Sequence, residues 1–159
     1  MSSNAVPRLP LSLIELTLVE RPPTGDRWAH EIKWDGWRVQ ACLTDGKAAL
    51  YTRKSNDCTK RFPSIAAAMA KLKAADVVLD GEAVAIDAHG RPDFHAVLDA
   101  GACVVYKAFD ILWLDGTDLR PQLWSERKRV LRQLLGGLPK GARDTLSYVE
   151  PVQRDGAKF

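Results

Sequence analysis

The sequence predicts an α+β domain in which antiparallel strands form the sheet and short helices flank it. Three observations lead there. Runs of alternating or branched apolar residues at 37–43, 48–52, 77–86 and 102–114 read as strands. Asp-Gly pairs at 35–36, 45–46 and 115–116 sit beside those runs, where glycine reaches backbone angles barred to other residues. Two further stretches, 64–74 and 124–135, repeat apolar residues at helical spacing.

At 159 residues the chain is long enough for one domain with a real core and too short for two comfortable ones. Its 46% hydrophobic and 27% charged residues are ordinary for a soluble globular protein, and a net charge of +3 neither demands nor excludes a nucleic-acid partner. Cys42, Cys58 and Cys103 are scattered, which fits reduced thiols, and His30, His89 and His95 lack zinc-ligand spacing. No apolar run approaches membrane-spanning length and the N-terminus lacks a signal pattern, so the expectation is a cytoplasmic protein with no membrane partner.

Taken in order, residues 1–10 read as a loose lead-in and 11–20 as a segment packing on the domain edge. A Pro-Pro-Thr-Gly loop spans 21–26. Residues 28–43 read as a hairpin turning at Asp35-Gly36, and Asp45-Gly46 turns into a strand over 48–52. A polar loop follows at 53–57. Pro63 suits the first position of a helix whose Ile65, Met69 and Leu72 face the core. The strand over 77–86 is interrupted by Asp80-Gly81-Glu82, where the glycine marks a bulge or the close approach of a ligand. Glu82 in so apolar a run needs a partner: a nearby arginine, or a site that it faces. A turn at 89–92 and one helical turn at 93–98 come next. The strand over 102–114 places Val105, Lys107, Phe109 and Ile111 on one face and Tyr106, Asp110 and Leu112 on the other. The second helix packs through Trp124, Val130, Leu131, Leu134 and Leu135 and stops at Gly136-Gly137, its charged stretch 126–129 reading as a solvated face. A last strand covers 147–151, and 155–159 look like the opening of another element.

The chemistry concentrates in EIKWDGWR at 31–38. Lys33, Glu31, Asp35 and Arg38 converge there, and a lysine held among charges and partly desolvated can serve as a nucleophile. A plain surface hairpin with a Glu–Lys cross-pair fits the same local pattern.

Four stretches in fixed order add specificity: EIKWDGWR at 31–38, YTRKSND at 51–57, VLDGEAV at 78–84 and AFDILWLDG at 108–116. Together with LRPQLWSERKRVLRQLL at 119–135, they resemble the nucleotidyltransferase motifs of ATP-dependent DNA ligases, and among these the ligase domain of bacterial end-joining ligases, over roughly residues 10–159. The resemblance implies an ATP-grasp-like adenylation fold and a bacterial, nucleoid-associated enzyme of DNA repair and recombination. It implies that Lys33 attacks the α-phosphate of ATP to form lysyl-AMP, with Mg²⁺ or Mn²⁺ as the metal and nicked or broken duplex DNA as the partner. End-joining proteins are further implied partners.

Carried over position by position, Glu31 and the Ile32 backbone read the adenine amino group, and Arg38 and Arg53 contact sugar or phosphates. Glu82 faces the ribose or a metal, Phe109 stacks on adenine, and Asp35 helps hold the cation. Ser55 stands where the family pattern has glycine, which bears on the loop carrying Arg53. The family pattern continues with Glu-Gly-x-Val-x-Lys, a Lys-x-Lys strand and an oligonucleotide-binding barrel, none of which occurs in this sequence. The expectation is therefore a single partial adenylation domain over 1–159, to be completed by a C-terminal half. The alternative is a catalytically weak remnant that binds nucleotide or a partner without turnover.

Overall fold

The computed structural model describes residues 9–152 apart from 15, 16, 88, 90 and 100. Its strands are β1 Trp37–Thr44, β2 Lys47–Thr52, β3 Asp76–Ala85, β4 Val104–Leu114, β5 Thr117–Asp118 and β6 Leu146–Tyr148. Its helices are α1 Pro63–Met69, α2 Trp124–Gly136 and α3 Lys140–Thr145. Among the described residues the strands form one six-stranded sheet in the order β2-β1-β3-β4-β5, with β6 on β4 as well. All pairs are antiparallel except β4 with β6, which run parallel after the return through α2 and α3. The α+β class holds. No helix among the described residues is long and apolar enough to cross a membrane.

Of the Asp-Gly pairs at 35–36, 45–46 and 115–116, the last two make the expected turns. Asp45 and Gly46 have φ of 49° and 75°, and Asp115 and Gly116 have 44° and 80°, the left-handed pair that a two-residue hairpin requires. Asp35-Gly36 does not. Residues 31–36 form no strand, and the only pairing nearby is a single bridge from His30 to Val152. The hairpin expected over 28–43 is thus half right: β1 forms, while the run before it stays irregular. Two contacts explain this. Glu31 is drawn sideways to α2, and Gly36 lies so close to β3 that a Cβ there would collide with the Ala83 carbonyl. Glycine is required here for close approach rather than for a turn.

One face of the sheet carries the main core. Val39, Ala41, Leu79, Ala83, Tyr106 and Ile111 pack there with Ile65 and Met69 of α1 and Leu131 and Leu135 of α2. Helix α1 starts at Pro63 as expected but is shorter than 64–74, with Leu72 buried just beyond it. The opposite face holds a small cluster of Leu11, Cys42, Val78, Leu112 and Trp113. Among the described residues of the 11–20 segment its start packs: Gln40 brackets Leu11 through both of its backbone groups at 2.6 and 3.1 Å, while Ile14, Leu18 and Val19 are exposed. The strand expected at 147–151 is seen as β6, three residues long, and the element expected at 155–159 lies outside the described residues, as do most of residues 1–10.

Strand β4 also departs from simple alternation. The register against β3 slips twice, leaving Phe109 and Leu112 as extra residues, so that Ile111 turns into the main core instead of sharing a face with Phe109. At the same bulge, the Tyr106 ring crosses Gly81 and donates its hydroxyl to the Val39 carbonyl at 2.8 Å. The glycine inside β3 does mark a close approach, but by Tyr106 and the Lys107 backbone rather than by a ligand. A Cβ on Gly81 would lie 2.6 Å from both. Gly81→Ala should therefore lower stability by about 1–3 kcal/mol, read as a lower urea midpoint at unchanged slope; an unchanged midpoint would show that the Tyr106 contact is slack.

Candidate active site

Above the second face of the sheet, alternate side chains of three strands line up. The pairing register sets Arg38 of β1 beside Glu82 of β3, and Glu82 beside Lys107 of β4. Arg38 is held rigidly. Its Nε and Nη2 donate to the two carboxylate oxygens of Asp80 at 3.1 and 2.7 Å, and Nη2 also reaches the Ile14 carbonyl at 3.0 Å. The guanidinium carbon lies 5.7 Å from the centre of the Phe109 ring, which the bulge in β4 turns to this face.

The irregular segment 30–36 crosses above this row and is tied down at four points. His30 exchanges backbone hydrogen bonds with Val152 at 3.1 and 2.7 Å. The Glu31 carboxylate lies 2.6 Å from the Lys128 ammonium. The Trp34 ring stacks under the Lys107 ammonium at 4.6 Å, a charge whose burial lowers its pKa. Gly36 packs directly against the Ala83 backbone. Lys33 projects from the middle of this clamped segment, 89% exposed and 3.7 Å from Asp35. Burial lifts the Glu82 carboxyl to about 7, against the Gly36 N–H and the charges of Lys33 and Arg38, which pull it down. Arg38 is taken by Asp80, and among the described residues Glu82 forms no ion pair of its own, so the arginine partner expected for it is not made.

Arg53 stands in an adjoining cleft of about 250 Å³ that Arg38, Gln40 and Ser55 also line. Ser55 adopts φ of 63°, which explains why glycine suits this position, and its N–H closes a turn onto the Thr52 carbonyl at 2.8 Å. Ile32 points outward, 50% exposed, leaving its backbone rather than its side chain to act.

Sequence reasoning missed the cations of α2. The stretch 126–129 is not a solvated face throughout: Glu126 and Arg129 are exposed, but Arg127 and Lys128 are buried. Arg127 grips Asp110 through two hydrogen bonds of 2.8 and 3.0 Å, and Lys128 donates to the carbonyls of Phe109 and Val149 at 3.0 and 2.8 Å. A signal was present, because 127 and 128 fall one turn before Leu131 and two before Leu135, on the inward face. Charge alone masked it. Trp124, expected in the core, is instead 39% exposed at the end of the helix.

Among the described residues no group of three or more His, Cys, Asp or Glu side chains gathers around a metal-sized site. Asp35 and Glu82 alone still suit Mg²⁺ or Mn²⁺, hard cations commonly held by one or two carboxylates with water and substrate phosphates.

An exposed lysine among carboxylates, an arginine locked to the sheet and an aromatic plate, all on one face of a mixed sheet, define a domain of the nucleotidyltransferase kind. The comparisons agree. A family profile described as ATP dependent DNA ligase domain matches residues 19–155. The multifunctional non-homologous end joining protein LigD of Pseudomonas aeruginosa is 41% identical over 126 residues, covering 76% of this chain and 15% of that protein. Its namesake from Mycolicibacterium smegmatis is 40% identical over 140 residues, covering 82% of this chain and 18% of that protein. The crystal structure of the ligase domain of LigD from M. tuberculosis superposes with a TM-score of 0.71 at 34% identity, covering 82% of this chain and 42% of that one. A mycobacterial DNA ligase D complexed with ATP and MES gives 0.70 at 32% identity, with the same coverage. The chain belongs to the ATP-dependent DNA ligase family, and it spans less than a fifth of the length of these two LigD proteins.

The raised Glu82 carboxyl fixes a pH dependence. The folded state holds this proton more tightly than the unfolded chain, so on this group stability falls as pH rises from about 4.5 to about 7. Glu82→Gln should remove that loss, exceeding wild-type stability at pH 8 and matching it near pH 4. Urea unfolding across that range measures it, and parallel curves at every pH would contradict the assignment.

Proposed function

We propose that this chain carries the adenylate-accepting part of an ATP-dependent DNA ligase, with Lys33 as the nucleophile. The observation that carries the reading is Lys33 itself: a solvent-open amine on a clamped segment, flanked by Asp35 and facing Glu82. Family membership supports it, and so does the likeness to a mycobacterial DNA ligase D complexed with ATP.

The chemistry follows from the residues. The neutral amine of Lys33 attacks the α-phosphorus of ATP, a nitrogen–phosphorus bond forms as the bridging oxygen bond to the β-phosphate breaks, and pyrophosphate leaves while the amine sheds its surplus proton to water. Lysine suits this role where arginine does not, because its amine can be deprotonated. Phe109 offers a ring on which adenine stacks, and Glu31 together with the Ile32 backbone meets its amino edge. Arg38, already oriented by Asp80, contacts the sugar or phosphates, and Arg53 does so from the adjoining cleft. Asp35 and Glu82 would hold Mg²⁺ or Mn²⁺, which supplies charge neutralisation at the phosphates when bound. In the whole protein the AMP passes to a DNA 5′-phosphate, and a 3′-hydroxyl then displaces it to seal a nick or break during end joining.

Incubation with ATP and Mn²⁺ followed by intact mass should show an adduct of about 329 Da, the mass fixed by the covalent chemistry. Lys33→Ala should show none. An adduct that persists in Lys33→Ala would move the nucleophile elsewhere, and none in the wild type would remove the activity from this chain.

A further inference from the structure

Lys128 has no role in the reaction described above, yet it is among the most deeply buried charges of the described chain. Its side chain is 4% exposed; it donates to the Val149 carbonyl at 2.8 Å and the Phe109 carbonyl at 3.0 Å, and it forms an ion pair with Glu31 at 2.6 Å. The Tyr148 ring, 4.3 Å from Nζ, covers the cage. These oxygens come from three separate places: the Lys33 segment, the bulge that presents Phe109, and the strand end after β6.

We propose that Lys128 is a specificity-determining residue, holding the Glu31 carboxylate ionised and aimed at the base edge so that the site accepts adenine and rejects guanine. The inference rests on the reading that Glu31 meets the amino edge of adenine. An ionised carboxylate can only accept hydrogen bonds, which fits an exocyclic amino group and repels the carbonyl oxygen that guanine places at the same position. A protonated carboxyl would donate to that oxygen and lose the discrimination. Other groups around Glu31 push toward this neutral state. Burial raises its pKa, and the Asp110 charge adds to it, while Lys128 alone opposes both by hydrogen bond and charge. Asp110 is itself occupied by Arg127 and Glu150 pairs with Arg132, and among the described residues Lys128 is the cation that acts on Glu31. Tyr148 faces the pair from β6 with its own pKa raised, and stays a neutral phenol.

The test compares wild type with Lys128→Met, Lys128→Arg and Glu31→Gln in two measurements. The first is the rate of adduct formation with ATP and with GTP, followed by intact mass. Lys128→Met should lower the ATP-to-GTP preference at least about ten-fold, the scale of one unmatched buried polar contact. Lys128→Arg should keep the preference, and Glu31→Gln, whose amide both donates and accepts, should lose it even if Lys128→Met does not fold. An unchanged ratio in Lys128→Met or Glu31→Gln would overturn the proposal. The second measurement needs no nucleotide: carbon-detected NMR titration of Glu31 in wild type and Lys128→Met. Its midpoint should move upward in the variant, and an unmoved midpoint would overturn the role of Lys128. A wild type that forms no adduct with either nucleotide would instead count against the proposed function, and the titration would then decide the role of Lys128.

Discussion

The candidate site depends on one buried ion pair. The Lys33 segment has no strand partner over most of its length, so backbone pairing cannot hold it in place. The Glu31–Lys128 contact at 2.6 Å does what a hairpin would otherwise do. Because the same ammonium also binds carbonyls beside Phe109 and after β6, one side chain fixes the Lys33 segment relative to the ring and to the strand end that bridges to His30. Burying a charge is costly unless it is paired, and here the ammonium has two carbonyl acceptors and the Glu31 carboxylate as its counter-charge.

The sheet divides the labour between its faces. The inner face is apolar and close-packed, with Tyr106 filling the space that Gly81 leaves open. The outer face carries charges, and its central ones come in fixed pairs: Arg38 with Asp80, Arg127 with Asp110, Lys128 with Glu31. Lys33 differs, exposed and only loosely associated with Asp35. A positioned scaffold with an exposed amine at its rim suits phosphoryl-type transfer, in which orientation and charge neutralisation supply most of the rate. The bulge in β4 links the two faces, since the extra residue that sends Ile111 inward is what leaves Phe109 on the outer side.

Much of this was legible in the residues. Asp45-Gly46 and Asp115-Gly116 announce their turns, Pro63 opens its helix, and the β-branched runs become β3 and β4. The four ordered motifs point to the family that the comparisons show. What could not be read depended on contacts distant in sequence. Asp35-Gly36 looks like any hairpin turn until β3 is seen packed against Gly36. Arg127 and Lys128 look solvated until Asp110 and Glu31, 17 and 97 positions earlier, supply their counter-charges. Alternation along β4 mispredicts Ile111 because two register shifts arise from pairing with β3 rather than from the strand's own sequence.

The claim that this ion pair holds the segment is tested most directly by a double-mutant cycle on unfolding free energy, using Glu31→Gln, Lys128→Met and the two combined. Residues in direct contact couple, and a coupling of about 1–3 kcal/mol is expected. Additivity within about 0.3 kcal/mol, the behaviour of independent sites, would mean that the Lys33 segment is held by something other than Lys128.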